Sequence, residues 1–318
     1  MAPGFGNRRF QFASPAIRIR DRGSGVKAPR LSYLRAGSVA QVLELLEEHG
    51  EAARILAGGQ SLMPTLNMRL SQPKILIDIN RLEALKGISA EAGVVRIGAL
   101  ARHAEVMNSP VIAAHAPLIS EAMPHVAHVA VRNRGTFGGS IALADPAAEM
   151  PACALALGAI FVVESTRGVR EIPADNYFKG LYETERRPDE LLIEARIPAR
   201  APDAVSVFME LAQRQGDFAI AGLACHARIE RDIVTDIRLV YFASEDKPTL
   251  ANRTMAAISG RKWPDESSDA ALEALAGDLN PMANLQGSAA MKLHLQRVLT
   301  RRVLDAAVER AGQRAGSA

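Results

Sequence analysis

The chain has 318 residues, which is long for a single hydrophobic core and therefore predicts two domains. Hydrophobic residues make up 48% and charged residues 23%, a composition typical of a globular protein. The sequence contains no run of about 20 apolar residues, which a membrane-spanning helix would require. The net charge of +3 is small and no basic stripe is interleaved with aromatic residues, which argues against nucleic acid as a partner.

The N-terminal segment, residues 1–29, is rich in arginine and contains one acidic residue, Asp21. Arg8 and Arg9 match the start of a twin-arginine signal, but the uninterrupted apolar segment that such a signal requires does not follow. We expect a basic, disordered extension here, with a transit peptide as the alternative.

Folded structure is predicted to begin near Leu31. Ser38 is placed to cap a helix, with Gln41 at the reciprocal capping-box position, and His49-Gly50 is placed to end it. Hydrophobic periodicity and β-branched runs predict the elements that follow. These are strands at 54–57, 75–79 and 94–97, and helices at 102–107 and 118–127.

A pair of glycines, Gly58 and Gly59, joins the strand at 54–57 to a predicted helix that tolerates Pro64 in its first turn. Glycines allow a close backbone approach, and the free N–H groups at a helix start attract anions. The segment therefore fits a diphosphate, although it lacks the third glycine of a G-x-G-x-x-G motif and the lysine of a Walker A loop. From this segment alone, an ordinary turn is the favoured interpretation.

A second glycine pair, Gly138 and Gly139, lies in the segment 131–140, VRNRGTFGGS. Thr136 and Ser140 add hydroxyl groups, and a helix-compatible apolar run follows. Two such loops, far apart in sequence, predict one extended dinucleotide that is held from two sides.

The rest of the chain alternates strands, loops and helices. Residues 150–159 are small and apolar and are predicted to be buried, and a Pro-containing loop at 199–203 is predicted to end the first domain. Alternating apolar residues on both sides of Arg231-Asp232 predict an antiparallel hairpin. The other predicted elements are strands at 161–164 and 191–197 and helices at 272–275 and 291–308.

The number and spacing of the cysteines and histidines limit the metal sites that this chain could form. Cys153 and Cys225 are the only cysteines, so the chain cannot by itself ligate an iron–sulfur cluster with four thiolates, and they fit a reduced, cytoplasmic protein. His125 and His128 have a metal-ligand spacing on the predicted helix, but a third ligand is missing nearby. We expect both histidines to flank the second loop or pack beneath it, and we assign neither a metal site nor a catalytic residue.

The two loops, AGGQSL at 57–62 and RNRGTFGGS at 132–140, are followed by DPAAEMP at 145–151 and GDFA at 216–219. In this order they resemble the FAD-binding medium subunit of molybdenum hydroxylases, the family of carbon monoxide dehydrogenase and xanthine dehydrogenase. The resemblance extends from about residue 28 to about residue 310. It implies an α+β (mixed α/β) fold, with a two-part FAD-binding domain followed by a small C-terminal domain of antiparallel sheet and helices. We place the boundaries at 1–29, 30–203, 204–312 and 313–318, the last being a tail.

The resemblance also implies which residues contact FAD. The first loop and its flanks supply Leu56, Ala57, Gly58, Gly59, Gln60, Ser61, Leu62 and Met63, and the second loop supplies Thr136, Phe137, Gly138, Gly139 and Ser140. Asp145 and Glu149 follow as acidic candidates, Leu192 packs beside the flavin, and Phe218 covers the ring. Core packing is the alternative for Phe218, and a helix cap is the alternative for Asp145.

Two positions depart from the family pattern. Ser140 stands where relatives often have Asn, and its side chain reaches less far. Glu210 stands where many relatives have Lys, which reverses a charge and puts any cationic contact there in doubt.

The implied function is electron transfer through FAD, from iron–sulfur clusters of a partner subunit to an external acceptor. The implied partners are a large molybdenum subunit, which carries the molybdopterin, and a small iron–sulfur subunit, in a dimer of heterotrimers. The substrate stays open among carbon monoxide, a purine and an aromatic N-heterocycle. A stand-alone FAD oxidoreductase and a non-catalytic nucleotide-binding module are the alternatives.

Overall fold

The computed structural model describes residues 17–18 and 28–315. Most of the predicted basic extension therefore lies outside the described residues. Ile17–Arg18 is an exception, because it forms a short strand where we expected no regular structure.

The first unit is a small sheet with one helix packed on it. Its elements are β1 (Ile17–Arg18), β2 (Ser32–Arg35), α1 (Val39–His49), β3 (Ala53–Leu56), α2 (Leu62–Asn67) and β4 (Ile75–Asp78). The strand order is β1-β2-β4-β3, with β2 and β3 parallel to β4 and β1 antiparallel to β2. The predicted cap of α1 is confirmed, since Ser38 Oγ accepts from Gln41 N at 3.2 Å, but Gln41 Oε1 accepts from Gly37 N at 2.8 Å and so does not complete the capping box with Ser38 N. Because β3 and β4 are parallel, the segments that follow them begin at the same edge of the sheet.

The second unit is an antiparallel five-stranded sheet in the order β5-β6-β11-β7-β8. Its elements up to the second loop are β5 (Ile88–Glu91), β6 (Val94–Gly98), α3 (His103–Met107), α4 (Pro110–His115), α5 (Pro117–Ala122), α6 (Val129–Arg132) and α7 (Phe137–Leu143). Those after it are α8 (Glu149–Ala156), β7 (Ile160–Ser165), β8 (Gly168–Pro173), α9 (Ala174–Tyr177), β9 (Phe178–Gly180), β10 (Glu183–Thr184) and β11 (Leu191–Pro198). Every residue of α8 is buried, as its small apolar sequence predicted.

The third unit is a four-stranded antiparallel sheet covered by a long helix. Its elements are β12 (Ala204–Leu211), β13 (Ala221–Glu230), β14 (Ile233–Phe242), β15 (Thr249–Leu250), α10 (Asn252–Ile258), α11 (Ser268–Ala274) and α12 (Ala289–Ala315). The predicted hairpin is β13–β14, and its two turn residues, Arg231 and Asp232, have φ of 51° and 66°. Such positive φ values match the twist of the flanking strands.

The cores of the second and third units are continuous. Phe208 on β12 and Phe242 on β14 stack with ring centroids 5.6 Å apart, and both are buried in the cluster that contains α7 and α8. Arg310 on α12 binds both carboxylate oxygens of Glu121 on α5, at 2.7 and 2.8 Å. The third unit is therefore fixed against the second.

The predicted class, a mixed α+β fold with a small antiparallel C-terminal domain, is confirmed. Two helix boundaries differ from prediction. The helix expected at 118–127 ends at Ala122 and is followed by a 3₁₀ turn around Pro124, so His125 and His128 do not share a helix. Helix α12 continues to Ala315, beyond the predicted end at residue 308 and into the expected tail. Throughout residues 17–18 and 28–315, we find no helix that is both long and apolar enough to cross a lipid bilayer.

Candidate functional site

A cavity of about 780 Å³ lies where the three units meet. Both glycine loops, Leu192 on β11 and the loop 216–218 from the third unit contribute to its wall. The volume falls in the range of roughly 300–1,000 Å³ that is typical of small-molecule and cofactor sites. The two loops therefore line one formed cavity and are not two isolated turns.

The first loop presents unpaired backbone donors. Gly59 has a φ of 71°, and the N–H groups of residues 58–62 donate to no group within the described part of the chain. Helix bonding resumes at Met63, whose N–H donates to Gly59 O at 3.0 Å. Consecutive free N–H groups at a helix start form a concavity that suits an anion.

The second loop differs, because its backbone donors are already used. Gly138 N donates to Ala99 O at 3.0 Å, and Gly139 N donates to the Thr136 hydroxyl at 3.0 Å, which caps α7. A Cβ on Gly138 would lie only 2.6 Å from Ala99 Cα. The glycines of this loop allow close packing against the residues behind it. The loop therefore presents few free backbone N–H groups to the cavity.

The two loops touch each other although Gly58 and Arg134 lie 76 positions apart in sequence. A Cβ on Gly58 would meet Arg134 O and would lie 2.8 Å from Gly135 Cα. Gly135 in turn packs against the imidazole of His103 and accepts a hydrogen bond from His103 N at 3.0 Å. The relative position of the loops is thus set by backbone contact.

Two acidic side chains line the cavity behind the second loop. Asp145 Oδ1 accepts from Ala147 N at 2.9 Å, which closes a turn and is not a cap of α8. Glu149 is the first residue of α8 and is 7% exposed, and burial raises the pKa of its carboxyl group to about 8. Glu149 is therefore mostly a neutral acid at neutral pH and can donate a hydrogen bond.

Glu210, the residue of reversed charge, is paired with a histidine. Its Oε1 lies 3.1 Å from His125 Nδ1, and its Oε2 is buried with no hydrogen-bond partner in the described part of the chain. The hydrogen bond with Glu210 raises the pKa of His125, which favours the imidazolium and balances the carboxylate. Within the described residues, no three His, Cys, Asp or Glu side chains are grouped as metal ligands.

The rim of the cavity carries an exposed aromatic ring. Phe218 is 60% exposed and lines the cavity, so the alternative of core packing does not apply. Gly216 begins this loop with a φ of 86°, and a Cβ at this position would lie only 2.7 Å from His128 Nδ1. The ring of His128 therefore lies next to the loop 216–218, whereas we expected it to flank the second loop or pack beneath it.

Most of the residues predicted from the motifs line this one cavity. They are Ala57, Gly58, Gly59, Gln60, Ser61, Leu62, Thr136, Gly138, Gly139, Ser140, Asp145, Glu149, Leu192 and Phe218. Leu56, Met63 and Phe137 lie outside the lining, and Phe137 is fully buried in the core. Contact of these residues with a cofactor stays a prediction.

Three further lining residues carried no signal in the sequence. His103 and Arg186 line the cavity, and His103 Nδ1 and Arg186 Nε are buried without a hydrogen-bond partner among the described residues. Burial lowers the pKa of His103 to about 4, so this imidazole is neutral. Tyr182 has a φ of 57° and places its hydroxyl 3.4 Å from Asp145 Oδ2. All three come from segments that approach the loops only in the folded chain.

These features fit a dinucleotide cofactor. The free N–H groups of the first loop suit a diphosphate, and the glycine pair leaves room for it. The neutral acid of Glu149 suits a ligand that carries polar groups. The residues present thus match the requirements of FAD.

Comparison with known proteins gives a consistent result. Residues 28–200 match the model described as FAD binding domain in molybdopterin dehydrogenase, and residues 206–307 match the CO dehydrogenase flavoprotein C-terminal domain. The chain is 36% identical to the carbon monoxide dehydrogenase medium chain of Hydrogenophaga pseudoflava, over 88% of this chain and 97% of that protein. It is 35% identical to the nicotine 6-hydroxylase medium subunit of Paenarthrobacter nicotinovorans, over 88% and 98%. Among solved structures, quinoline 2-oxidoreductase from Pseudomonas putida 86 superposes with a TM-score of 0.85 at 35% identity, over 90% and 99%.

Proposed function

Because this chain belongs to the family of FAD-binding medium subunits of molybdopterin dehydrogenases, the molybdenum hydroxylases, we propose that it is the electron-transfer subunit of such an enzyme. It binds one FAD without a covalent bond. Electrons reach this FAD from iron–sulfur clusters of a partner subunit and leave to an external acceptor. The observation that carries the proposal is the row of free N–H groups at residues 58–62 beside the second glycine loop.

Each part of the cavity has a role in this proposal. The first loop binds the diphosphate through its N–H groups, and Thr136 and Ser140 offer hydroxyl groups from the second loop. Glu149 donates a hydrogen bond as a neutral acid, and Phe218 limits access of solvent to the ring. FAD supplies the electron-transfer chemistry itself, so the chain needs only to bind, orient and shield it.

The proposed partners are a large molybdenum subunit with its molybdopterin and a small iron–sulfur subunit, assembled as a dimer of heterotrimers. The names of the relatives support this proposal, because they are medium chains and medium subunits of larger enzymes. The two cysteines, Cys153 and Cys225, are both buried and free, so they supply no cluster ligands and fit a cytoplasmic location.

The substrate of the complete enzyme stays open. The relatives named above act on carbon monoxide and nicotine, and the solved structure is that of a quinoline enzyme. Carbon monoxide, a purine or an aromatic N-heterocycle each remain compatible, because substrate choice in this proposal belongs to the molybdenum subunit.

Flavin content of the purified chain tests the proposal. We expect a yellow protein with flavin absorbance, and we expect denaturation to release the FAD, since the binding is noncovalent. A colourless chain that takes up no FAD on incubation would instead support a non-catalytic nucleotide-binding module. Purification from the native source separates the remaining alternative: a lone chain that turns over substrate would be a stand-alone oxidoreductase.

A further inference from the structure

The two glycine loops are joined by a polar bridge that no motif includes. Asn80 follows β4 and reaches the end of the neighbouring strand β3. Its Nδ2 donates to Leu56 O at 3.2 Å and to Ala57 O at 2.8 Å, the two carbonyls that immediately precede Gly58. The start of the first loop is therefore held by one amide side chain.

Arg102 continues this bridge to the second loop. Its Nη2 donates to Asn80 Oδ1 at 2.7 Å, and its Nη1 donates to Arg134 O, directly before Gly135. The backbone strengthens the same junction, because residue 102 forms an isolated antiparallel bridge with Thr136. One planar guanidinium group thus spans from the amide that holds the first loop to a carbonyl of the second.

The loops need such a tie because they lack side chains that could interlock. They meet at Gly58 and Gly135, where backbone touches backbone, and a glycine contributes no buried side chain to fix the spacing. Asn80 and Arg102 do not line the cavity, so they have no direct part in contacting its occupant. Their hydrogen bonds go to the loop carbonyls, which leaves the N–H groups of residues 58–62 free to face the cavity.

We propose that Asn80 and Arg102 are positioning residues that clamp the two glycine loops at the spacing FAD binding requires. This inference rests on the proposed function. Preorganisation of this kind raises affinity because the loops are ordered before the ligand arrives. Loss of the clamp therefore weakens FAD binding and changes the orientation of the bound flavin, while the cores that carry the fold stay intact.

Arg102→Lys is the sharpest variant, because lysine keeps the charge but cannot span both acceptors. Arg96→Lys is its matched control, since Arg96 binds Glu194 at 2.8 Å on the antiparallel sheet and does not line this cavity. The FAD dissociation constant is measured by reconstitution of FAD-free full-length chain, together with the visible circular dichroism of the bound flavin. We expect Arg102→Lys to weaken binding by roughly tenfold to a hundredfold, because hydrogen bonds to charged groups contribute one to two powers of ten. Arg96→Lys leaves both readouts unchanged.

Asn80→Ala and the double variant with Arg102→Ala test the clamp as a unit. If the two side chains act through one bridge, the double variant loses little more FAD affinity than either single variant. Strictly additive losses, or wild-type affinity and dichroism in Arg102→Lys, overturn the clamp. Failure of the wild-type chain to take up FAD overturns the proposed function instead, so the two failures are distinguishable.

Discussion

The buried carboxyl group of Glu149 makes the stability of the FAD-free chain depend on pH. Burial raises its pKa from 4.5 to about 8, and it lies among other ionisable groups, with Glu210 and Asp145 raising the pKa further and His125 lowering it. The folded chain thus binds this proton more tightly than the unfolded chain does. The contribution of the group to stability is fully present below pH 4.5 and is lost as pH rises through about 8.

Glu149→Gln removes this pH dependence, because glutamine cannot ionise. We expect the variant to gain at least about 1 kcal/mol of unfolding free energy relative to wild type between pH 5 and pH 9, since one pKa unit corresponds to about 1.4 kcal/mol. Thermal unfolding across this pH range measures the effect. Glu91→Gln, at an exposed position on β5, serves as the control and keeps the wild-type profile. Parallel profiles for wild type and Glu149→Gln would show that the group is ionised in the folded chain.

Gly58 and Gly138 are required for a reason that differs from the one the sequence suggested. The motif suggested that a β-branched side chain would fill the space of the diphosphate. In the structure a Cβ on Gly58 meets the backbone at Arg134 and Gly135, and a Cβ on Gly138 meets Ala99. A side chain at either position therefore pushes the loops out of place before any ligand is bound.

Gly58→Val and Gly138→Val should therefore abolish FAD retention and also destabilise the FAD-free chain, by about 1–3 kcal/mol as is typical of overpacking. The third unit should remain folded, since it has its own core. Gly312→Ala is the control: a Cβ there meets nothing within 4 Å, so stability and FAD content should be unchanged or slightly higher. Full flavin content in both valine variants would mean that the loops are ordinary turns.

At the scale of elements, the loop 216–218 lies at the mouth of the cavity and adds little buried apolar area to the folded chain. Phe218 is 60% exposed, so its ring buries little area in the folded chain. We expect Phe218→Ala to change the rate at which an acceptor reoxidises the reduced flavin more than it changes FAD affinity, because the ring shields the cavity mouth. Stopped-flow reoxidation and FAD titration give the two values. Val169→Ala, an equally exposed apolar position on β8, should alter neither. A larger change in affinity than in rate would mean that Phe218 binds FAD and does not gate access.

Local signals predicted those elements whose structure is set locally. The cap at Ser38, the strand at β4 and the β13–β14 hairpin follow from capping residues, a β-branched run and strict alternation. The helix expected at 118–127 stops early because Pro124 lacks the N–H that would continue it. The order of strands in the five-stranded sheet depends on pairing between segments that are distant in sequence. Local patterns in a single sequence do not predict which of these segments pair.

The site residues likewise divide into those that a local sequence pattern predicts and those that depend on contacts between distant segments. Both glycine loops were predictable, because a glycine pair before a helix is a local pattern. His103, Tyr182 and the Asn80–Arg102 bridge were not, because each acts on a residue 22 or more positions away. The positive φ of Tyr182 is likewise a product of the folded context.

At the scale of the whole molecule, the cavity exists only because all three units contribute to it. The first unit supplies one glycine loop, the second supplies the other together with Leu192, and the third supplies Phe218. The stacked Phe208 and Phe242 and the pair of Arg310 with Glu121 hold the third unit in place. The chain is thus built to hold one large ligand between its units.

This architecture predicts a division of labour between subunits. The proposed function assigns the molybdenum and iron–sulfur centres to partner subunits, and within the described part of the chain no three His, Cys, Asp or Glu side chains are grouped as metal ligands. We expect the isolated, flavin-loaded chain to hydroxylate no N-heterocycle and to oxidise no carbon monoxide, while its chemically reduced flavin is reoxidised by a quinone, a dye or oxygen. Both assays use the same preparation, so reoxidation serves as the control for a competent flavin. Adding the co-purified large and small partners should then restore substrate-dependent flavin reduction. Substrate turnover by the isolated chain would contradict this division and would locate the complete chemistry in the FAD cavity.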